Sequence, residues 1–195
     1  KHNLPSNLND EINASMSKVE RIMGKNFGDT KNPLLVSVRS GAKESMPGMM
    51  ETVLNVGLTE STVAGLASSS SNPRFAYDSY RRLIMMYADV VMEKSGGVQV
   101  ENNMGIRHQL EEFMDEYKNN KGYSEDTDLN AEDLKLLCGE FKNIIKKKLD
   151  MEFPDDPNVQ LESAIKAVFN SWNGARAKSY RKIENISDRA GTAVN

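Results

Sequence analysis

The chain has 195 residues, enough for one domain with a sizeable core or for a core plus a smaller helical lobe. Hydrophobic residues make up 38% and charged residues 27%, ordinary for a soluble globular protein; the net charge of -3 gives no support for a nucleic-acid or acidic-membrane partner, which needs Lys and Arg clustered on one face. A single cysteine, Cys138, rules out an internal disulfide and fits a reducing, cytoplasmic compartment, and no apolar stretch approaches the roughly 20 residues of a membrane helix.

Taken in order, Leu8, Ile12, Met16, Val19, Ile22 and Met23 fall on one helical stripe, which predicts a helix over 9–23 closed by Gly24. A loop is expected next, and Asn32-Pro33 turns the backbone towards extended geometry. The apolar run 34–38 reads as a strand buried on both faces, and the alternation over 51–56, stopped by Gly57, as a second strand. Between them lies a glycine-bearing loop, so the pair reads as a hairpin or as neighbouring strands with a flap.

From residue 59 the texture becomes helical. Thr59 or Ser61 caps a short helix through Leu66, and residues 68–73 read as a loop into a long helix over 74–93. Its stripe of Phe75, Tyr80, Leu83, Ile84, Met86, Tyr87, Val90 and Val91 is broad enough for two neighbours, and Gly96-Gly97 ends it. Further amphipathic helices are expected over 103–118, over 131–149 with Asp128 or Asn130 as cap, after a rigid turn at 153–157 and through Trp172, and over 175–183. The acidic run 124–128 lacks the glycine and distal glutamate of a calcium loop and reads as a solvated cap. Lys146-Lys147-Lys148 closes its helix where cations suit the dipole. The last residues, Gly191-Thr192-Ala193-Val194-Asn195, read as the start of a strand, and the chain does not open on Met, so a piece of a longer protein is expected. The expected fold class is α+β, mostly helical. A helical block, 58–150, is inserted into a sheet-containing part made of 1–57 and 151–195.

Binding or transferring a phosphate requires fixed positive charge and backbone N–H groups that can approach oxygens, hence arginine beside glycine. Arg39 fits, because the strand before it fixes its Cα and because Gly41 and Gly48 permit a tight loop. Lys43, Ser40 and Ser45 add donors. The spacing matches neither the Walker loop nor the dinucleotide fingerprint, so an arginine paired with a carboxylate beside a turn is the competing reading. His2, in a tail, and His108, on a polar helix face, have no neighbours at zinc spacing, and no metal site is assigned. Cys138, among Leu134, Leu137 and Phe141, reads as a packed thiol. Arg81-Arg82 lies opposite much of the long helix's stripe, where one of the pair reaches towards the sheet or forms a surface ion pair.

Several of these stretches together resemble the nucleotide-binding domain of the pyruvate, phosphate dikinase family. They are Asn32-Pro33-Leu34-Leu35-Val36-Ser37-Val38-Arg39-Ser40-Gly41-Ala42, Ser45-Met46-Pro47-Gly48-Met49-Met50, Thr52-Val53-Leu54-Asn55 and Asn72-Pro73-Arg74-Phe75-Ala76-Tyr77-Asp78-Ser79-Tyr80-Arg81-Arg82. Asp89-Val90-Val91-Met92, Phe153-Pro154, Gln160-Leu161, Ala167-Val168-Phe169, Ser171-Trp172 and the final pentapeptide continue the likeness over nearly the whole chain. The resemblance implies an incomplete ATP-grasp type fold with an inserted helical subdomain. It also implies an enzyme converting ATP, phosphate and pyruvate to AMP, pyrophosphate and phosphoenolpyruvate through a phosphohistidine on a swivelling domain, with magnesium assisting.

On this resemblance Arg39 matches the arginine contacting the nucleotide phosphates, Gly48 with residues 46–50 the loop that covers them, and Arg82 an arginine of the same region. Ser40 and Lys43 are carried as further phosphate contacts. The family's phosphate-binding lysine would precede Lys1, and its adenine strand and magnesium carboxylates would follow Asn195. Neither His2 nor His108 matches the carrier histidine. The expected partners are therefore ATP and the carrier-histidine and pyruvate domains of a parent enzyme, homodimeric through parts absent here, with no nucleic acid and no membrane. The isolated chain is expected to be inactive. A water dikinase or antibiotic phosphotransferase relative, or a non-catalytic helical interaction module, are the alternatives.

Overall fold

The computed structural model describes residues 7–98 and 104–195. The elements are α1 (Leu8–Met23), β1 (Asn26–Phe27), β2 (Pro33–Leu34), β3 (Val36–Gly41), β4 (Thr52–Val56), α2 (Glu60–Ser70), α3 (Pro73–Tyr87), α4 (Ile106–Lys121), α5 (Ala131–Leu149), α6 (Pro157–Ser171), α7 (Ala175–Ile183) and β5 (Ala193–Val194). The architecture is α+β and mostly helical, as expected.

Local chemistry explains most boundaries. Thr59 and Thr62 form a reciprocal capping box at α2, and Asn130 and Asp133 form another at α5. Asn72 caps α3 and Asp156 caps α6, each followed by proline at the first helical position, where no N–H is missed. The loop expected at 68–73 is shorter than that, since α2 runs on to Ser70 and Ser71 takes the left-handed φ of 52° at its end. The long helix leaves α geometry at Ala88 and continues as a π-helical turn, Ala88–Lys94. This turn buries Asp89 and Glu93, and Glu93 Oε2 accepts the Ile106 N–H at 2.6 Å, capping α4 from outside. The start predicted for α4, at residue 103, lies outside the described residues.

The strand expected over 34–38 divides. β2 pairs in parallel with β1 inside what was expected to be a loop, and β3 starts afresh at Val36. β3 is the centre of a three-stranded antiparallel sheet, order β4-β3-β5. Its register places Val38 opposite Val53 and Arg39 opposite Thr52. An irregularity between Val36 and Val38 sets Leu54 and Asn55 against Ser37, and Asn55 absorbs it with a φ of 60°. Val38 and Val53 point into the core, so Arg39 points to the opposite, exposed face. The expectation of a strand buried on both faces is therefore corrected.

α6 covers the inner face of β3 and β4, and α3 packs on α5, α2 and β4. One cluster of buried side chains runs from Val38, Val53 and Val56 through Leu83, Ile84 and Tyr87 to Leu134, Leu137 and Phe141. At its polar centre sits Gln160, 0% exposed, which accepts the Gly57 N–H at 3.1 Å and donates to Leu58 O and Pro154 O at 2.9 Å. Two predicted apolar stripes are less buried than expected. None of the residues of α1 is buried, with Ile22 at 72% exposure, and Phe75 at 49% lies outside the core of α3.

Candidate functional site

The exposed face of β3 opens into a cleft of about 390 Å³ bounded by Arg39, Thr52 and the loop from Ser40 to Met50. Backbone pairing fixes its floor. The Arg39 N–H donates to Asn195 O at 2.9 Å, and the Asn195 N–H donates back to Arg39 O at 2.8 Å. Arg39 therefore sits mid-sheet, tied to β4 on one side and to the end of β5 on the other. A Cβ at Gly41 would lie 2.7 Å from Nδ2 at the end of the Asn195 side chain, which would have to turn aside.

The loop turns at Met46-Pro47-Gly48-Met49. The Met49 N–H reaches Met46 O at 3.1 Å, and Gly48 has a φ of +72° with open space around it. Proline second and a left-handed glycine third is the pattern of a type II turn, so glycine is needed here for its backbone conformation. Lys43, Glu44, Ser45, Pro47 and Gly48 are exposed, while Met46 and Met50 are buried against Trp172 and Ala177.

The cations of this cleft have no partner. Among the described residues the Arg39 and Lys43 side chains make no hydrogen bond or ion pair, as is also so for Arg21 and Arg189 away from the cleft, whereas Arg74, Arg81, Arg82, Arg107, Arg176 and Arg181 all do. The carboxylate partner that the competing reading requires for Arg39 is absent from this set. A second cleft of similar size, lined by Glu51, Lys94 and Arg176, has its charges satisfied, with Arg176 2.8 Å and Lys94 3.6 Å from Glu51. The groove between α1 and β3 is lined chiefly by apolar side chains.

The sequence-predicted residues Arg39, Ser40, Lys43 and Gly48 thus converge on one cleft. Arg82 is not among its lining residues. It lies exposed on α3, with Nε donating to Asp78 Oδ2 at 2.8 Å, and the other Asp78 oxygen holds its neighbour Arg81 at 2.7 Å. Arg81 itself is buried, with its guanidinium also against the sulfurs of Met85 and Met114, which the helical pattern did not indicate. His108 is exposed on α4, and His2 lies outside the described residues. Burial pushes the Cys138 thiol up to about 12, which keeps it protonated and unreactive at neutral pH. No three His, Cys, Asp or Glu side chains among the described residues converge to hold a metal ion, and Glu44 is the sole carboxylate lining the cleft, so these residues do not themselves fit a magnesium site.

Sequence reasoning missed the supports of the loop. Trp172 and Arg181 stack, with the guanidinium carbon 4.0 Å from the ring centroid, and nothing in a nine-residue separation marks that pair. Gln160 was more legible, as a lone amide beside Leu161, Ala164 and Ile165.

The fold and cleft define an α+β domain with a strand-mounted arginine facing a glycine-turned loop. The chain matches, over residues 1–195, the family described as pyruvate phosphate dikinase, AMP/ATP-binding domain, and it belongs to that family. It is similar to the pyruvate, phosphate dikinase of Clostridium symbiosum, 49% identical over 189 residues that make up 96% of this chain and 20% of the relative. Pyruvate, phosphate dikinase 1, chloroplastic, of Arabidopsis thaliana is 48% identical over 193 residues, 98% of this chain and 19% of the relative. The Giardia intestinalis pyruvate, phosphate dikinase is 44% identical over 192 residues, 98% and 20%. The chain therefore spans about a fifth of the length of the curated relatives it matches.

Proposed function

We propose that this chain forms the phosphate-contacting part of the ATP site of an enzyme that makes phosphoenolpyruvate, AMP and pyrophosphate from pyruvate, ATP and phosphate. The observation that carries the reading is the guanidinium of Arg39, without a partner among the described residues, on a backbone held by sheet pairing on both sides and lining a cleft with Lys43. Phosphoryl transfer depends chiefly on positioning and on charge already in place when the transition state forms. Arg39 offers a forked donor to two phosphate oxygens from a fixed point of the sheet, and Lys43 offers a point charge on a flexible stem. Ser40 and the N–H groups around the Gly48 turn complete the contacts, and Arg82 joins them from α3 once the two sides of the site approach.

The finer parts of the proposal follow from the family. The fold is of ATP-grasp type, with 58–150 a helical insert in a unit made of 1–57 and 151–195. The phosphoryl group passes to a histidine on another domain of the parent protein, and pyruvate is handled by a third. The parent is a cytoplasmic homodimer, and magnesium finds its carboxylates in parts of it other than this chain. Residues 1–195 alone are expected to make no phosphoenolpyruvate from ATP and to bind nucleotide weakly; ATP-dependent product formation by this piece would contradict that.

The test is an ATP titration of the full-length parent protein beside its Arg39→Ala variant. Loss of a charge-assisted phosphate contact predicts an affinity lower by about 10- to 100-fold. Unchanged affinity would remove Arg39 from the site.

A further inference from the structure

The loop from Ser40 to Met50 has no core of its own, yet it is not free. Met46 and Met50 join Trp172 and Ala177 in a buried cluster distinct from the main core, with Ala42, Met49, Tyr180 and Ile186 packed on its rim. Beneath it Arg181, 2% exposed, stacks on Trp172, donates through Nη1 to Trp172 O at 2.6 Å and through Nε to Asp188 at 2.8 Å. A buried cation with a ring face, a carbonyl and a carboxylate around it has few alternative arrangements, so it fixes the ring.

The far end of the loop is tied to the same corner. The Glu51 N–H donates to Ser171 Oγ at 3.1 Å, and Arg176 binds Glu51 at 2.8 Å. The near end belongs to β3 and its pairing with β5. Between Gly41 and Met50 the one buried side chain is Met46. We propose that Trp172, braced by Arg181, is a positioning residue that holds this loop over the cleft through Met46 and Met50, and that nucleotide affinity depends on it although it is not among the residues lining the cleft. The proposal rests on the reading of the loop as the cover of the ATP phosphates.

Losing the platform leaves Arg39 in place, since sheet pairing holds it, but releases the loop beside it. The test compares the full-length parent protein with its Trp172→Ala, Trp172→Phe and Met46→Ser variants, reading the ATP dissociation constant, the pyruvate KM and the rate of tryptic cleavage after Lys43. Trp172→Ala and Met46→Ser are expected to weaken ATP about tenfold and to speed that cleavage, with pyruvate KM unchanged and Trp172→Phe near wild type. Unaltered cleavage and ATP affinity in a folded Trp172→Ala protein would overturn the proposal. Should Trp172→Ala fail to fold, Met46→Ser decides by the same two readings, because Met46 lies in the loop and outside the main core. Faster cleavage with ATP affinity unmoved by both Trp172→Ala and Arg39→Ala would uphold the clamp while overturning the phosphate reading of the loop.

Discussion

The helical block and the β3 cleft treat charge in opposite ways. Around α3 and α5 each buried charge has a partner: Arg81 lies on Asp78, Asp89 on Lys94, Glu93 on the Ile106 N–H, and Asp133 on Lys121 and Tyr117. No buried side-chain polar atom among the described residues is left without a partner. At the cleft, Arg39 and Lys43 have no side-chain partner among the described residues. Burying charge without a partner is costly, so the block is arranged for stability, whereas the cleft keeps its cations at the surface, where their interactions remain available to a ligand.

Substitutions on the two sides should therefore separate stability from binding. The largest stability effect is expected in the block. Phe141, fully buried and edge-on to Phe113, should cost about 3–5 kcal/mol as Phe141→Ala in denaturant unfolding of the chain. Next comes the buried amide of α6. Gln160→Leu strands the Gly57 N–H and two carbonyls, and a loss of roughly 2–4 kcal/mol is expected in the same assay. A change within about 0.5 kcal/mol would show that these groups are satisfied another way.

Arg39→Ala should do the reverse. With no side-chain partner to lose, its midpoint in denaturant should stay within about 0.5 kcal/mol of wild type while ATP affinity falls. Destabilisation comparable to that of Gln160→Leu would mean that Arg39 serves the fold, and the contrast between the two regions would collapse.

The smallest effect concerns acid. The hydrogen bond from Lys118 holds the Asp126 carboxyl below its ordinary value of 3.8, against some burial, and the charges of Lys118 and Arg81 add to it. The folded protein thus takes up this proton less readily than the unfolded chain. The stability it adds is complete above the ordinary value and is lost as pH falls through the lower, folded one. Asp126→Asn should flatten the decline of stability below about pH 4, and an unchanged decline would assign it to other carboxylates such as Asp133.

The sequence made the helices legible where caps announce them. Thr59 and Asn130, both named as candidate caps, do cap α2 and α5, the long helix starts one residue before its predicted Arg74, and α5 and α7 match their predicted spans. It also placed Arg39, Ser40, Lys43 and Gly48 together, because all four lie within ten residues of one loop. Periodicity failed where burial depends on distant partners. α1 has a full apolar stripe of which Ile12 and Met16 pack on the core while Val19, Ile22 and Met23 stay exposed, Arg81 is buried because Asp78, Met85 and Met114 surround it, and β1 is a strand only because β2 returns beside it. The platform under the loop was invisible for the same reason, since Trp172 and Ala177 meet the methionines across more than 120 residues of sequence.

The central claim is that Arg39 contacts the phosphates of ATP. Its most direct test is to measure, in the full-length parent protein, the affinities of wild type and Arg39→Ala for ATP and for adenosine. The account predicts a loss of about tenfold or more for ATP and none for adenosine. An equal loss for both ligands would contradict it.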